Sequence, residues 1–253
     1  MATSAVVIVV IMVITWLVSL ARHDAGIVDP VWPLGFVAVA ITGAIAGGGA
    51  LATRMLLLAL VGIWGLRLSA HLFRRNLGAG EEDFRYRAMR ERRGERFWII
   101  SLFTVFLLQG VLMWVVSLPV QLAATSSTGV GWAVAGTVLW AVGLGFEAVG
   151  DAQLTRFKAD PASRGQVLDT GLWRYTRHPN YFGDALVWWG IFVVAAGTGV
   201  GAWGVVGPLL MTVLLVKVSG AALLERDIAE RRPGYAEYVR RTSGFIPRPP
   251  RRP

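Results

Sequence analysis

Residues 170–184, TGLWRYTRHPNYFGD, gather Arg174, Tyr175, Arg177, His178, Asn180, Tyr181 and Asp184 between two strongly apolar segments. Arginine forks bind phosphate or carboxylate through paired N–H donors, and tyrosines stack on rings or hydrogen-bond through the phenol. The set suits an anion with aromatic parts. Three further stretches repeat the theme at helical spacing. In IWGLRLSAHLFRRN, Arg67, His71 and Arg74/Arg75 share one face at i, i+4 and i+7/i+8. In GFEAVGDAQLTRFK, Glu147, Asp151, Thr155 and Lys158 do the same. In LLVKVSGAALLERD, Lys217, Ala221 and Glu225 fall in line, beside small Ser219, Gly220 and Ala222 that permit close helix approach. Two loops add candidates. GEEDFRYRAMRERRGERF interleaves Asp83, Phe84, Arg85 and Tyr86, either as a solvated helix or as cover for a bound cofactor. RRPGYAEYVRRTSGFIP offers Tyr235, Tyr238, Arg240 and Arg241 after a Pro-Gly turn.

The elements that must position these groups are membrane helices. Apolar residues make up 55% of the 253-residue chain and charged residues only 16%, with a mean hydropathy of +0.55. Soluble domains average about 25% charged residues. A bilayer core needs about 20 apolar residues in helical form. Seven stretches meet or approach that length: 4–21, 28–46, 50–73, 97–121, 130–150, 181–199 and 202–224. The first has neither a basic leader nor an A-x-A-like cleavage site, so it is read as a retained helix. The fold class expected is all-α: a polytopic membrane protein of one domain, residues 1–253. Within it, 1–121 would supply the substrate-side helices, 130–247 the cofactor-binding part and 248–253 a basic proline-rich tail near anionic headgroups.

Arginine distribution orients the helices. Segments 71–96, 151–180 and 225–253 hold 8, 5 and 8 Lys/Arg residues, whereas 122–129 and 200–201 hold none. The positive-inside rule then places the N-terminus outside and the C-terminus in the cytoplasm of a multi-pass inner (plasma) membrane protein. It also absorbs most of the net charge of +9, which leaves nucleic acid as no expected partner. The rule accounts for arginines in loops, but not for ionisable groups carried into helices, each of which costs about 2.5–3.5 kcal/mol at mid-bilayer. Polar faces at one common depth predict a hydrophilic cavity open to the cytoplasm.

Several chemistries are excluded. There is no cysteine, hence no disulfide, thiolate nucleophile or cysteine-ligated metal. His23, His71 and His178 are too far apart in sequence for a paired-ligand motif, so no metal is expected. GxxxxGK[ST] does not occur, and the single GxGxxG, GVGAWG at 199–204, lies between two apolar spans rather than after a strand. The residues alone imply a membrane enzyme holding an anionic cofactor.

GLWRYTRHPNYFGD, with FEAVGDAQLTRFK before it and LLERD…RPGYAEYVRRTSGFIP after it, resembles the superfamily of steroid 5α-reductases, sterol reductases and isoprenylcysteine carboxyl methyltransferases. Within that superfamily it resembles a bacterial steroid 5α-reductase-like branch, over nearly the whole chain, including WGLRLSAHL, EEDFRY and LLQG. The reductase pattern G-L-x-x-Y-(x)4-N-(x)2-G-E is met by Gly171, Leu172, Tyr175, Asn180, Gly183 and Asp184, with aspartate in place of glutamate. Asp151 and Lys158 match an acid followed seven residues later by a base, and Tyr238, Ile246 and Pro247 match the closing segment.

The resemblance implies an NADPH-dependent reductase of a lipophilic unsaturated small-molecule substrate that enters from the bilayer, with membrane lipids as partners. Its cofactor-site residues would be Arg67, His71, Arg74, Asp83, Arg85, Glu147, Asp151, Lys158, Arg174, Tyr175, Arg177, His178, Asn180, Tyr181, Asp184, Glu225, Tyr235, Tyr238 and Arg241. Phosphates would meet Arg67, Lys158, Arg174 and Arg177, and Asp29 or Tyr86 would be the acid. Arg177-His178-Pro179 also echoes the RHPxYxG motif of the methyltransferases, which implies S-adenosylmethionine as the alternative cofactor. Substrate identity and oligomeric state are left open.

Overall fold

Apolar runs bounded by glycine and proline form helices here, because only a helix satisfies its own backbone polar groups in lipid. The computed structural model describes residues 1–79, 82–218 and 234–251. Among these the chain is helical without a named strand; one isolated parallel bridge joins Thr176 and Ser243. The helices are α1 Ala2–Arg22, α2 Val28–Ala46, α3 Leu51–Ala79, α4 Phe84–Arg93, α5 Phe97–Ser101, α6 Leu108–Val116, α7 Leu118–Ala123, α8 Val130–Ala159, α9 Pro179–Ala196, α10 Val206–Val213 and α11 Tyr235–Arg241.

Six helical stretches among the described residues are long and apolar enough to cross a bilayer: Ala2–Arg22, Ala25–Ala46, Leu51–Asn76, Phe84–Val116, Val130–Ala159 and Val200–Val218. Many of their large apolar side chains, including Val6, Ile14, Leu17, Ile63 and Val138, point outward, as lipid contact requires. The seventh expected span is α9, an 18-residue helix. It falls outside the six because its first two turns carry Asn180 and Asp184. The span expected at 97–121 is interrupted. α5 and α6 are joined through a π-helical segment, Leu102–Leu107, and the helix breaks at Ser117. Pro119 opens α7, and it has no N–H with which to continue the ladder. The last expected span begins as a 3-10 turn and ends, as described, in the π-helical Leu214–Val218.

The chain divides into two compact units. The first comprises Met1–Ala133 with Val194–Gly207, the second Val134–Val193 with Pro208–Pro253. In the first, α1 packs on α6 where Gly110 would bring a Cβ to 3.2 Å from Ile8 and Met12. Trp16 stacks on Trp98 with centroids 6.3 Å apart and donates to its carbonyl. α2 and α3 meet through Phe36 and Trp64, whose rings lie edge to face at 5.7 Å, and both are fully buried. The Ser69 hydroxyl donates to the Pro30 carbonyl at 2.7 Å across that interface.

In the second unit α8 and α9 run antiparallel along a glycine seam. A Cβ on Gly143 would lie 2.7 Å from the Gly183 carbonyl, one on Gly183 2.4 Å from the Glu147 nitrogen, and one on Gly190 2.7 Å from the Gly136 carbonyl. At the far end Gly150 faces Asn180 and Pro179. Seven-residue spacing of Gly136, Gly143 and Gly150 keeps them on one side of α8, so the two backbones touch.

Candidate functional site

Each unit carries its own polar centre. In the first unit it forms where the connector between α1 and α2 meets the segment before α4. Asp83 caps α4 by accepting from the Arg85 N–H at 2.9 Å. This cap aims Arg85 and Tyr86 at Asp29, near the start of α2. The Tyr86 hydroxyl donates to Asp29 Oδ1 at 2.8 Å, and Arg85 Nη2 donates to Oδ2 at 2.7 Å. Arg75 stands 3.6 Å from the same oxygen. The Gln109 side chain hydrogen-bonds the Tyr86 hydroxyl, just past the π-helical segment. Such segments are frequent at functional sites because the extra residue re-aims neighbouring side chains. Asp29 and Tyr86, the two candidates for the acid, are therefore direct partners.

Next to them Glu82 accepts from the Ala25 N–H at 2.9 Å and from Arg90 at 2.8 Å. Burial alone would raise the Glu82 carboxyl, but the Arg90 guanidinium and the Ala25 N–H outweigh it and hold it below the usual carboxylate range. Asp83 behaves alike: burial pushes it up, and hydrogen bonds and charge from Arg85 bring it below its ordinary value. Asn76 donates to the Gly26 carbonyl at 3.2 Å and ties the end of α3 to the same connector. Arg67 and His71 are half-buried on α3, and Arg74 is exposed a turn further on.

In the second unit the glycine seam sets the spacing of the polar groups. Glu147, Asp151, His178 and Asp184 are all buried, at 2%, 6%, 5% and 9% exposure. Asn180 Nδ2 donates to Asp151 Oδ1 at 3.1 Å. Asn180 Oδ1 is buried without a hydrogen-bond partner among the described residues. His178 stacks on Tyr181 with rings 7° from parallel and centroids 5.5 Å apart. The signature residues Glu147, Asp151, Asn180 and Asp184 thus converge on one end of the α8–α9 pair.

The remaining candidates of this unit lie elsewhere. Arg177 anchors the C-terminal segment: its Nη1 donates to the carbonyls of Thr242 at 2.9 Å and Val239 at 3.2 Å, at the end of α11. Tyr238 donates to the Trp173 carbonyl at 2.6 Å and packs against Tyr235. Both tyrosines are buried as parts of this strap. Thr176 Oγ1 donates to the Phe245 carbonyl, and the Arg248 N–H to that of Tyr175. Arg241 pairs with Asp169, while Tyr175, Arg174 and Lys158 are exposed. Glu225 lies outside the described residues, as does most of the third polar face.

Sequence reasoning passed over Gln109, Gln153 and Trp173. Gln153 accepts from the Leu172 N–H at 3.0 Å and fills the space beside Gly171, whose φ of +60° only glycine adopts readily. Trp173 donates to the Gly150 carbonyl. A glutamine in α8 off the Glu147–Asp151–Lys158 face was the available signal. No group of three or more His, Cys, Asp or Glu suited to a metal occurs among the described residues.

No solved structure matches the chain. An uncharacterised protein of Schizosaccharomyces pombe is 26% identical over 271 residues, covering 93% of this chain and 76% of the yeast protein. The family described as Protein of unknown function (DUF1295) matches residues 15–242, and that family lies in the steroid 5α-reductase-like group. With a match that takes in all but the ends and spans both polar centres, the chain belongs to the DUF1295 family.

Proposed function

We propose that the protein is an NADPH-dependent reductase of a lipophilic, enone-type substrate such as a steroid, sterol or acyl lipid. The supporting observation is the buried carboxylates Glu147, Asp151 and Asp184 with the half-buried Asn180 on helices otherwise made for lipid. Ionisable groups at such depth are rarely kept without a function. Asn180 Oδ1, lacking a partner among the described residues, suits the amide N–H of a nicotinamide. The three carboxylates suit ribose hydroxyls, and Lys158 supplies positive charge for phosphate at the end of α8. NADPH, when bound, supplies the hydride. The chain's own part is to orient that group, exclude water and provide a proton, for which Asp29 and Tyr86 are the candidates. The arginine-rich loops support a cytoplasmic cofactor side, an external N-terminus and a place in the cell's inner membrane.

A second reading rests on one specific observation. Glu147, Asp151 and Asp184 are three buried carboxylates on one helix pair, and that charge also suits the sulfonium and ammonium of S-adenosylmethionine. On that reading the protein methylates a membrane lipid.

Thermal denaturation of detergent-purified protein separates the two. NADPH should raise the midpoint and S-adenosylmethionine should not, and Asn180→Ala should reduce the NADPH effect severalfold. A larger response to S-adenosylmethionine would replace the first reading with the second. For orientation, a reporter fused after residue 126 should appear outside the cell; an inside signal there would overturn the topology.

A further inference from the structure

The second unit also carries, apart from the buried carboxylates, an open groove of about 630 Å³ between the segment before α9 and the C-terminal strap. Arg174, Arg241 and Arg251 line it, together with Asp169, Thr170 and Gly171. The volume falls within the roughly 300–1,000 Å³ typical of small-molecule sites. Its charge is lopsided. Asp169 is paired with Arg241, which leaves the positive charge of Arg174 and Arg251 facing the cavity, both on exposed side chains. Thr170 begins the 3-10 turn Gly171–Arg174 without using its hydroxyl to cap it.

The groove is also built. The strap is held in place by Arg177 on the Thr242 carbonyl and by the Thr176–Ser243 bridge, and the Arg251 N–H donates to the Arg241 carbonyl at 2.9 Å. These bonds fix the walls before any ligand arrives. Two arginines and a hydroxyl on fixed walls match a phosphate group, for which guanidinium is the preferred side-chain partner.

We propose that this groove is a phosphate-ester site, separate from the Asn180 cluster. Its ligand is either the headgroup phosphate of an anionic membrane lipid or a soluble phosphate. Both present the same oxyanion, and a basic surface at a membrane attracts both. Arg174 and Arg241, expected from the resemblance to serve the dinucleotide, are assigned to this groove instead, so the inference goes beyond the reductase reading and does not depend on it.

The test uses the full chain in non-ionic detergent and contains no NADPH, so its outcome is independent of the cofactor question. One arm follows the thermal midpoint as pyrophosphate is added. The other counts phosphatidylglycerol against phosphatidylcholine retained in native mass spectrometry. A response in the first arm assigns a soluble phosphate; selective retention in the second assigns a headgroup. In either case Arg174→Gln/Arg251→Gln should weaken binding at least about tenfold, and lysine at both positions should recover part of it. Because both side chains are exposed and hold no other element, the glutamine variant should keep the parent's midpoint without ligand. Equal binding by parent and double variant in both arms, or binding by neither, would overturn the proposal.

Discussion

Tyr86 and Asp29, 57 positions apart in the chain, share a 2.8 Å hydrogen bond from the phenol to Oδ1. Arg85 occupies the other carboxylate oxygen at 2.7 Å, so Asp29 is held from both sides by consecutive residues of one helix. Tyr86 is 6% exposed. Tyr86→Phe removes a buried bond to a charged acceptor, a contribution of about 1.5–3 kcal/mol. The denaturation midpoint in detergent should fall accordingly, and Asp29→Asn should fall further because Arg75 and Arg85 both lose a charged partner, Arg85 keeping only Asp83. A Tyr86→Phe protein as stable as the parent would show that the bond carries no net energy.

Acid should loosen the same region. Glu82 and Asp83 both titrate below their ordinary values in the folded chain. A depressed carboxylate contributes stability above its unfolded pKa, about 4 for these groups, and loses it as pH falls through the folded value. The midpoint should therefore hold from about pH 7 to 5 and drop below about pH 4. Glu82→Gln should flatten that drop, as well as lowering the plateau by the loss of its bonds to Arg90 and Ala25. An acid slope unchanged by the substitution would place the sensitivity elsewhere.

The glycine seam makes a sharp pair of predictions. Gly183→Ala would set a Cβ 2.4 Å from the Glu147 nitrogen, a clash with backbone that no rotamer relieves. A Cβ on Gly145, also in α8, would meet nothing within 4 Å. Gly183→Ala should abolish monodisperse elution from size-exclusion chromatography. Gly145→Ala should elute as the parent and gain up to about 1 kcal/mol from helix propensity. Equal behaviour of the two would mean that α8 and α9 are not in backbone contact.

Arg177 is predicted to act on the strap. Its guanidinium satisfies two carbonyls at the end of α11, where a helix leaves its last carbonyls without intrahelical partners. Arg177→Ala should expose 234–251 to limited proteolysis several times faster than in the parent, with Arg177→Lys intermediate because an ammonium lacks the planar fork. Unchanged proteolysis in Arg177→Ala would leave the Thr176 and Tyr238 bonds as the sufficient anchors.

Much of this was legible in the chain. Apolar runs gave the membrane helices, and i, i+4 spacing gave the Glu147–Asp151 face that the structure sets beside Asn180. The reach from Asp29 to Tyr86 was not legible, because it depends on how the 23–28 connector meets the Asp83 cap. Arg177 looked like a phosphate ligand because an arginine's loop position does not disclose which carbonyls fold back onto it. The π-helical interruption at 102–107 leaves little compositional trace, as LFTVFL is apolar but for Thr104, whose hydroxyl donates to the Ile100 carbonyl of its own helix.

The glycine seam has an entropic side. A pair of helices in lipid receives no push from water, and freezing side chains at their interface would cost up to about 1–2 kcal/mol for each long residue. Gly136, Gly143, Gly150, Gly183 and Gly190 have no rotamers to lose. At these five positions the α8–α9 contact freezes no side chain, which leaves the ordering cost to pairs such as Phe146 and Phe182 and to the polar groups next to the seam.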